Sequence, residues 1–269
     1  MRLLIPLLLT TACGEVKSPL ADAPPTPGID ANGTADGAVT IDAPAIDAAP
    51  DAMPCATALF ARDATTQLLY QLNEGTSTIV GDSSGHNRDG RFATVSTGPT
   101  WTTGKFGGAL AFLGGAAFAG DRVDIPLSPA VVWGSAFSIE MIVKPSATDL
   151  DGIIVGVNPV FALWNIGGKA YWRLNNSASN LFGSVLDPNR WSYVATTYDG
   201  TTMRVFVDGQ LVGSQALASV GQSGPTVAYL GCAPSDGCFS GLLDEVRVSS
   251  VALATTTISA TAARAAACE

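Results

Sequence analysis

Two tryptophans and several polar side chains surround one short turn, and residues of these types can bind a sugar. Trp164 precedes the turn N-I-G-G-K, whereas Trp172, Arg173 and Asn175 follow it. Flat aromatic faces pack against sugar rings, and neighbouring polar side chains fix the orientation of a ligand. The sequence therefore predicts Trp164, Trp172, Arg173 and Asn175 as ligand-binding residues. The alternative that stays open is that the tryptophans fill a protein core.

The carboxylates of the chain form no pattern that predicts catalysis. A glycosidase needs two carboxyl groups that face each other across a sugar. Glu140 has no acidic partner on its predicted strand, and Asp244 and Glu245 are consecutive, so a regular strand sends them to opposite faces. His86, the only histidine, lies in a polar loop without a nucleophile motif. We predict no catalytic residues and keep a glycan-cleaving enzyme as a minor alternative.

Asp244 falls in step with apolar residues on its predicted strand. Leu242, Val246 and Val248 alternate with other residues, and Asp244 shares their register. A carboxylate on such a face needs a partner, because its burial is costly without one. A calcium ion satisfies this need, since calcium prefers carboxylate and carbonyl oxygens. Backbone N–H groups or an arginine satisfy it equally, and both interpretations stay open.

The elements that position these residues are short strands. The clearest stretch runs from Trp191 to Ser214, where β-branched and aromatic residues alternate in three runs. Asp199-Gly200 and Asp208-Gly209 separate the runs, and Asp-Gly is typical of hairpin turns because it tolerates positive φ angles. Similar runs recur before and after this stretch. The sequence therefore predicts an all-β domain with one short helix in residues 255–267.

Composition divides the chain into a tether and a folded domain. Residues 13–54 consist mainly of Ala, Pro, Asp, Gly and Thr and contain no aromatic residue. Such a segment cannot bury enough apolar surface to offset its chain entropy, so we expect a disordered linker, with a processed pro-segment as the alternative. Residues 55–269 have a usual size for one β-sandwich domain. A formal net charge of −9 argues against a nucleic-acid partner.

Residues 1–12 resemble a bacterial export signal. One arginine precedes a short apolar run that ends in T-T-A before Cys13. The run is too short to span a bilayer as a helix, but it fits a signal peptide. The context of Cys13 resembles a lipobox, which implies that this cysteine is lipidated, and Gly14 after it implies the outer membrane, facing the periplasm or the cell surface. An ordinary cleaved signal with an incidental cysteine is the alternative.

Six motifs follow one another between Leu68 and Thr261. They are L-Y-Q-L-N-E-G with D-S-S-G-H-N-R-D-G, G-K-F-G-G-A-L-A-F, D-R-V-D-I-P, F-S-I-E-M-I-V-K-P, W-S-Y-V-A-T-T-Y-D-G-T-T-M-R-V-F-V-D-G-Q-L-V-G-S and F-S-G-L-L-D-E-V-R-V-S-S-V-A-L-A. The series resembles the laminin-G-like members of the concanavalin A-like lectin/glucanase superfamily. The resemblance implies an antiparallel jelly-roll β-sandwich with one concave sheet. Members of this family are mostly binding modules, and some relatives are glycosidases or lyases.

The resemblance also implies where two sites lie. Related jelly rolls hold a structural calcium ion between the N-terminal segment and an aspartate of the last long strand. Asp244 matches that aspartate, and Asp82 or a nearby carbonyl is the expected second ligand. The hairpin with the candidate sugar-binding residues falls where the concave sheet is expected, whereas Trp191 matches a structural position.

Four cysteines remain for disulfides if Cys13 carries a lipid, and four cysteines allow three pairings. Cys232 and Cys238 flank the loop A-P-S-D-G, which one bridge across a turn can close. The first and last strands of a jelly roll usually lie together, so the resemblance favours Cys55–Cys268 as the second pair. Export makes disulfides plausible. Zinc is the rival interpretation, but the chain has no C-x-x-C motif and a single histidine.

These observations predict a non-catalytic lipoprotein whose jelly-roll domain binds an extracellular ligand, with a carbohydrate as the favoured class. A protein-interaction or adhesion module that docks a cell-surface protein is the alternative. Structural calcium is the one expected cofactor. The membrane is an expected partner through the lipid at Cys13, and nucleic acid is not.

Overall fold

Sixteen strands and one helix form in the described part of the chain. The computed structural model describes residues 55, 57–93, 98–115, 120–128, 130–131, 133, 135–146, 151–157, 160–174, 179–218, 220, 224–234 and 236–268. The strands are β1 (Thr66–Tyr70), β2 (Ile79–Val80), β3 (Gly90–Phe92), β4 (Thr100–Thr103), β5 (Gly108–Gly115), β6 (Val123–Pro126), β7 (Phe137–Pro145), β8 (Gly152–Val157), β9 (Phe161–Ile166), β10 (Lys169–Leu174), β11 (Ser179–Val185), β12 (Ser192–Tyr198), β13 (Thr202–Val207), β14 (Gln210–Ala216), β15 (Val227–Leu230) and β16 (Cys238–Ser249), followed by helix α1 (Thr255–Ala266).

Several sequence predictions concern residues outside this description. The signal peptide (residues 1–12), the linker (residues 13–54), the lipidation site Cys13 and the binding residue Asn175 all lie outside the described residues.

The strands form two layers that are joined at one point. The first sheet has the order β14-β13-β12-β7-β16, and the other edge of β16 pairs with β1 and with β5, which carries β4. The second sheet has the order β11-β10-β9-β8-β15-β6-β3-β2. Pairing within each sheet is antiparallel, and the sheets connect where Cys238 pairs with Ile153 in parallel. The predicted all-β jelly-roll sandwich is confirmed.

The main hydrophobic core lies between the two sheets. Alternation along β13 shows how the sequence builds it: Met203, Val205 and Val207 enter this core, whereas Phe206 points to the opposite side of the first sheet. Successive residues of a strand face opposite sides, so a period of two sorts the side chains between two environments. Tight turns close the hairpins, as in Asp208 and Gly209, whose φ angles are 50° and 78°.

The outer face of the first sheet is buried beneath the helix and an N-terminal segment. Ile258, Ala262 and Ala265 of α1, together with Leu59 and Phe60, form a second apolar cluster with the sheet. We call this the covered face. It explains why all residues of β12 and nearly all of β7 are buried. Among the described residues, no helix combines the length and apolar character that a membrane crossing requires.

Candidate functional site

The outer face of the second sheet carries aromatic side chains that remain partly exposed, and we call it the open face. Strand pairing aligns Phe182, Tyr171, Trp164 and Ile153 in one row across β11, β10, β9 and β8. The rings of Tyr171 and Phe182 lie 4.5 Å apart between centroids, and Phe182 is 52% exposed. This row presents apolar flat surface to solvent, which monomeric proteins usually minimise outside functional sites.

Arg173 stacks on this row. Its guanidinium carbon lies 5.2 Å from the centroid of the Trp164 ring, and its Nη2 lies 3.9 Å from Asp236 Oδ2. The contact is a cation–π interaction that also holds the guanidinium plane in place. Trp164 is only 8% exposed, because Ile153, Ala162 and Ala233 pack around it. The accessible surface of this stack is therefore mainly that of Arg173 and its neighbour Tyr171.

A second arginine–aromatic stack lies on the same face. The guanidinium carbon of Arg122 is 5.5 Å from the centroid of the Tyr229 ring, and Arg122 donates two hydrogen bonds to Asp124, with lengths of 2.5 and 3.2 Å. Bidentate pairing of this kind fixes the orientation of both side chains. Tyr229 is half-buried, so one part of its surface faces solvent.

The two stacks flank a stretch of small side chains. Strand pairing places Arg173, Ala162, Gly156 and Tyr229 in one row across β10, β9, β8 and β15. Three steps between neighbouring strands separate the two ends, or roughly 14 Å between backbones. The side chain of Ile153 in β8 covers Gly156, because its Cδ1 lies 2.6 Å from the position that a Cβ of residue 156 would take. The face therefore carries the partly exposed Arg173 at one end, and the half-buried Tyr229 ring against a buried Arg122 at the other.

The structure brings two of the sequence-predicted binding residues together and places a third in the core. Trp164 and Arg173 are in contact on the open face. Trp172 has no exposed surface and lies in the core between the sheets, so its prediction as a ligand-binding residue is wrong. The reason is strand parity, because consecutive residues such as Trp172 and Arg173 point to opposite faces. The alternative, that this tryptophan fills the core, is the correct one.

Three aromatic residues of the open face, Tyr171, Phe182 and Tyr229, were missed as candidates by the sequence reasoning. Phe182 lies on the strand that follows the predicted hairpin, whereas Tyr229 lies on a strand that is distant in sequence. Tyr171 lies two residues before Arg173 on the same strand. Residues two apart share a face, so the sequence could have identified Tyr171 as a neighbour of Arg173. No local pattern reveals that β15 lies beside β8, so Tyr229 could be assigned only with the strand order known.

The predicted disulfide between Cys232 and Cys238 is present. It closes a loop that packs onto the open face, because Ala233 joins the cluster around Trp164 and Asp236 pairs with Arg173. Cys55 and Cys268 are unbonded thiols, although their side chains are within hydrogen-bonding reach, and this hydrogen bond raises the pKa of Cys268. The Cys55–Cys268 disulfide stays a prediction.

A β-bulge changes the face on which Asp244 lies. The register between β16 and β7 shifts between Asp244 and Val246, with Glu245 as the extra residue at a φ of 50°. Leu243 therefore occupies the core with Val246, and Asp244 does not share the apolar face that the sequence predicted. Its Oδ2 accepts hydrogen bonds of 2.9 and 2.8 Å from the backbone N–H groups of Lys105 and Phe106.

The bulge also leaves two adjacent carboxyl groups without exposed surface. Glu245 Oε2 accepts a hydrogen bond of 3.2 Å from the backbone N–H of Phe60. Burial raises the pKa of Asp244 to about 7, against the opposing hydrogen bonds from Phe106 and Lys105. Burial also raises the pKa of Glu245 to about 8, and the neighbouring Asp244 adds to this increase. The expectation that the side chains of Asp244 and Glu245 point to opposite faces is therefore wrong. Alternation of faces holds for a regular strand, and the bulge at Glu245 interrupts it.

The residues do not fit a calcium ion shared by Asp244 and Asp82. Asp82 accepts four hydrogen bonds, from the N–H groups of Leu69, Ser84 and Arg88 and from the Ser84 hydroxyl. A carboxylate has about four acceptor positions, so Asp82 has none left for a cation. The donors to Asp82 come from Leu69, Ser84 and Arg88, whereas those to Asp244 come from Lys105 and Phe106, so the two carboxylates share no hydrogen-bond donor. Within the described ranges, no three His, Cys, Asp or Glu side chains group as metal ligands. Backbone hydrogen bonds satisfy Oδ2 of Asp244, whereas its buried Oδ1 has no hydrogen-bond partner, so calcium at Asp244 stays a prediction.

Glu140 belongs to a buried network on the covered face. It accepts a hydrogen bond of 2.6 Å from the Tyr193 hydroxyl and pairs with Arg247, whose Nη2 lies 2.6 Å from Oε2. Arg247 in turn stacks on Phe60, with 4.7 Å from the guanidinium carbon to the ring centroid. Burial raises the pKa of Tyr193, and the charge of Glu140 adds to this shift. The network joins three elements and leaves Glu140 without a surface that a substrate can reach.

Comparisons with known proteins agree with this fold. A laminin G family model, described as concanavalin A-like lectin/glucanases superfamily, matches residues 115–259, more than half of the chain. A search of curated proteins finds no match.

Solved structures of low sequence identity share the architecture. Domain 4 of AbnA, a GH43 extracellular arabinanase from Geobacillus stearothermophilus, was solved in complex with arabinotriose; its TM-score is 0.56 at 18% identity, over 74% of this chain and 98% of that domain. The binding domain of botulinum neurotoxin DC in complex with SialylT has a TM-score of 0.57 at 14% identity, over 75% of this chain and 51% of that chain. The same domain in complex with rat synaptotagmin II has a TM-score of 0.56 at 14% identity, over 75% and 52%.

The chain thus spans about half the length of the toxin chains and nearly all of the arabinanase domain. With identities below 20%, these structures show a shared fold. The family match and the two-sheet architecture together lead to one conclusion: the chain belongs to the laminin G-like family of the concanavalin A-like lectin/glucanase superfamily.

Proposed function

We propose that the domain is a non-catalytic module that binds a carbohydrate on the open face. The observation that carries this proposal is the pair of arginine–aromatic stacks, Arg173 on Trp164 and Arg122 on Tyr229. Arg173 is partly exposed and lies beside Asp236, so its N–H groups are oriented donors for sugar hydroxyl or carboxylate oxygens, whereas Arg122 is buried and fixes the position of Tyr229. The exposed rings of Tyr171 and Phe182 add apolar surface against which a sugar ring packs.

The structural neighbours support a binding module of this class. One neighbour was solved with arabinotriose and another with SialylT. Neither comparison gives a ligand for this chain, because the sequence identities are only 14% and 18%. The neighbours therefore guide the choice of test ligands only.

The acidic residues support a non-catalytic role. A glycoside hydrolase brings two carboxyl groups to the sugar, one of them protonated near neutral pH. Asp244 and Glu245 have raised pKa values of about 7 and 8, but neither has exposed surface. Glu140 is equally buried and is paired with Arg247. The acids with unusual protonation thus lie away from any surface where a glycan can bind.

A glycan array probed with the full-length chain tests the proposal. The array includes arabinan fragments and sialylated oligosaccharides as well as neutral plant and bacterial glycans. We expect saturable binding to at least one class, and we expect Arg173→Gln to weaken it at least tenfold. Arg204→Gln is the matched control, because Arg204 also pairs with an aspartate, Asp199, but lies on the first sheet. Equal loss in both variants, or binding to no glycan, contradicts the proposal.

A protein partner is the second candidate function. Phe182, Val185 and Leu211 are each more than half exposed, and Gly213 of β14 lies against the backbone of Phe182 in β11. Such an apolar patch suits a protein interface. The binding domain of botulinum neurotoxin DC was also solved with a protein, rat synaptotagmin II. A chain that binds no glycan but loses a cell-surface partner upon Phe182→Ser would favour this function over the first.

We further propose that the domain is an exported lipoprotein, anchored through Cys13 in the outer membrane. The support is the apolar run before T-T-A-C-G in the sequence. Mass spectrometry of the N-terminal peptide from membranes tests this proposal, with an acylated cysteine as the expected result. Recovery of the chain in the soluble fraction with an unmodified Cys13 contradicts it.

A further inference from the structure

A groove that differs from the open face lies where α1, the loop around Lys105 and the residues before β12 meet. Two adjoining cavities of about 330 and 360 Å³ share Lys105, Arg190 and Trp191 in their walls. Each volume is in the range of small-ligand pockets. None of the open-face residues named above lines either cavity. We call this pair of cavities the Trp191 groove.

Positive charge dominates the Trp191 groove although the chain as a whole is acidic. Lys105, Lys144 and Arg190 line it, and Asp208 is the one acid among the lining residues. Asp208 is already engaged, because it accepts a hydrogen bond of 2.5 Å from Arg190 and another of 3.0 Å from the backbone N–H of Tyr193.

The charges of Lys105 and Lys144, in contrast, are not paired with a described acidic side chain. Across the described ranges, neither the Lys105 nor the Lys144 ammonium group has an ion-pair partner. Both line the same cavity, so their charges act on one small volume. Two lysines in the wall of one cavity attract an oxyanion, and the effect is stronger there than on an open surface because the walls exclude part of the solvent.

Trp191 gives the groove a flat apolar wall. One part of its side chain packs against the cluster on the covered face, whereas the remainder borders both cavities and is partly exposed. An inorganic ion has no apolar surface that can pack against this wall. A ligand that carries an oxyanion on a ring uses both features, since the ring packs on the indole while the lysines bind the charge.

We propose that the Trp191 groove binds an acidic saccharide, with Lys105 and Lys144 at its carboxylate or sulfate group and Trp191 against its ring. Carboxylate and sulfate share the chemistry that the lysines recognise. Because the groove and the open face have no residue in common, this site does not rest on the proposed function, and either can fail alone.

Calorimetric titration of the full-length chain tests the ligand class. The probes are tetragalacturonate and its fully methyl-esterified form, sulfated cellotetraose and unmodified cellotetraose, and sodium sulfate alone. We expect at least one charged oligosaccharide to bind tenfold more tightly than its uncharged counterpart, with affinity that falls as salt rises. Equal affinity for charged and uncharged forms, or binding of sulfate as tight as that of the oligosaccharide, overturns the proposal.

Variants then place the binding in the groove. The double change Lys105→Gln and Lys144→Gln keeps the side-chain stems and removes both charges, so we expect at least a tenfold loss of affinity. Lys169→Gln, at an exposed lysine of the β9–β10 hairpin, is the matched control and is expected to bind as the unmodified chain does. Trp191→Phe keeps a flat ring, and its loss of affinity is expected to be smaller than that of the double variant.

Two results contradict this location. One is a double variant that melts at the same temperature as the unmodified chain and binds the acidic oligosaccharide equally well. The other is loss of that binding upon Tyr171→Ala, which would transfer the acidic ligand to the open face. If the double variant melts at a lower temperature, the single variants Lys105→Gln and Lys144→Gln decide, each with an expected loss of at least threefold.

Discussion

Side chains alternate between core and outer face in both sheets, but the outer face of the first sheet is buried whereas that of the second is partly exposed. On the covered face, α1 and residues near Phe60 bury the side chains, and the polar ones among them form a closed network around Glu140 and Arg247. On the open face, arginines and aspartates pair as well, but Arg173, Tyr171 and Tyr229 there stay partly exposed to solvent. Burial by a helix thus separates a structural polar network from a face that can bind.

This difference means that residue type alone does not assign a role. Arg247 stacks on Phe60, and Arg173 stacks on Trp164, with similar distances of 4.7 and 5.2 Å. Only the surroundings differ, because Phe60 is held beneath the helix cluster whereas Arg173 is partly exposed. Perturbing equivalent residues on the two faces should therefore affect stability on the covered face and ligand binding on the open face.

The largest expected contrast is between the adjacent residues Trp172 and Tyr171. Trp172→Ala removes a fully buried ring from the core and should lower the free energy of unfolding by about 3–5 kcal/mol. Tyr171→Ala removes a half-buried ring from the open face and should lower it by about 1 kcal/mol while weakening glycan binding. Urea denaturation of both variants measures the difference. Equal destabilisation would contradict the assignment of the two faces.

The next contrast compares two arginine–carboxylate pairs. Glu140→Ala leaves the buried Arg247 without its main partner, and we expect a loss of about 3 kcal/mol or more in the free energy of unfolding. Asp124→Ala disrupts a pair in which Arg122 is as buried as Arg247 but Asp124 is 37% exposed, so we expect a smaller loss of about 1–2 kcal/mol. The same denaturation assay measures both. A larger loss for Asp124→Ala would show that the open face is structural.

The buried acids of the covered face predict a dependence of stability on pH. Asp244 and Glu245 have folded-state pKa values of about 7 and 8, above the ordinary 3.8 and 4.5. For acids with raised pKa, stability is fully present below the unfolded pKa and is lost as pH rises through the folded one. Thermal unfolding should therefore show a decline from about pH 4 to about pH 8, of order 1 kcal/mol per pH unit for each group.

Asp244→Asn should flatten this decline, because the amide has no proton to lose in this range. Glu74→Gln is the matched control, since Glu74 is exposed, and its pH profile should follow that of the unmodified chain. A profile that rises between pH 4 and pH 8, or one that Asp244→Asn leaves unchanged, would show that these carboxyls are ionised in the folded chain.

Much of the fold could be predicted from the sequence, because period-two alternation and Asp-Gly turns report local geometry. The meander after Trp191 follows directly from these signals. The disulfide between Cys232 and Cys238 could also be predicted, since a short loop limits the choice of partners.

The sites were less predictable, for physical reasons that particular residues illustrate. Glu245 forms a bulge, and one extra residue reverses the faces of every side chain on one side of it. Tyr229 reaches the open face only because β15 lies between β8 and β6, and such strand order depends on long-range packing. Glu140 pairs with Arg247 because β7 and β16 are neighbours in the sheet, although 107 residues separate the two in sequence.

Chemical-shift mapping of the labelled full-length chain tests the central claim most directly. The ligand is the glycan that binds most tightly on the array, and the amides are followed during its titration. If the ligand binds on the open face, the largest shifts occur in β9, β10, β11 and β15, around Tyr171, Arg173 and Tyr229. Shifts confined to α1 and the first sheet would contradict the claim that the open face of the second sheet binds the ligand.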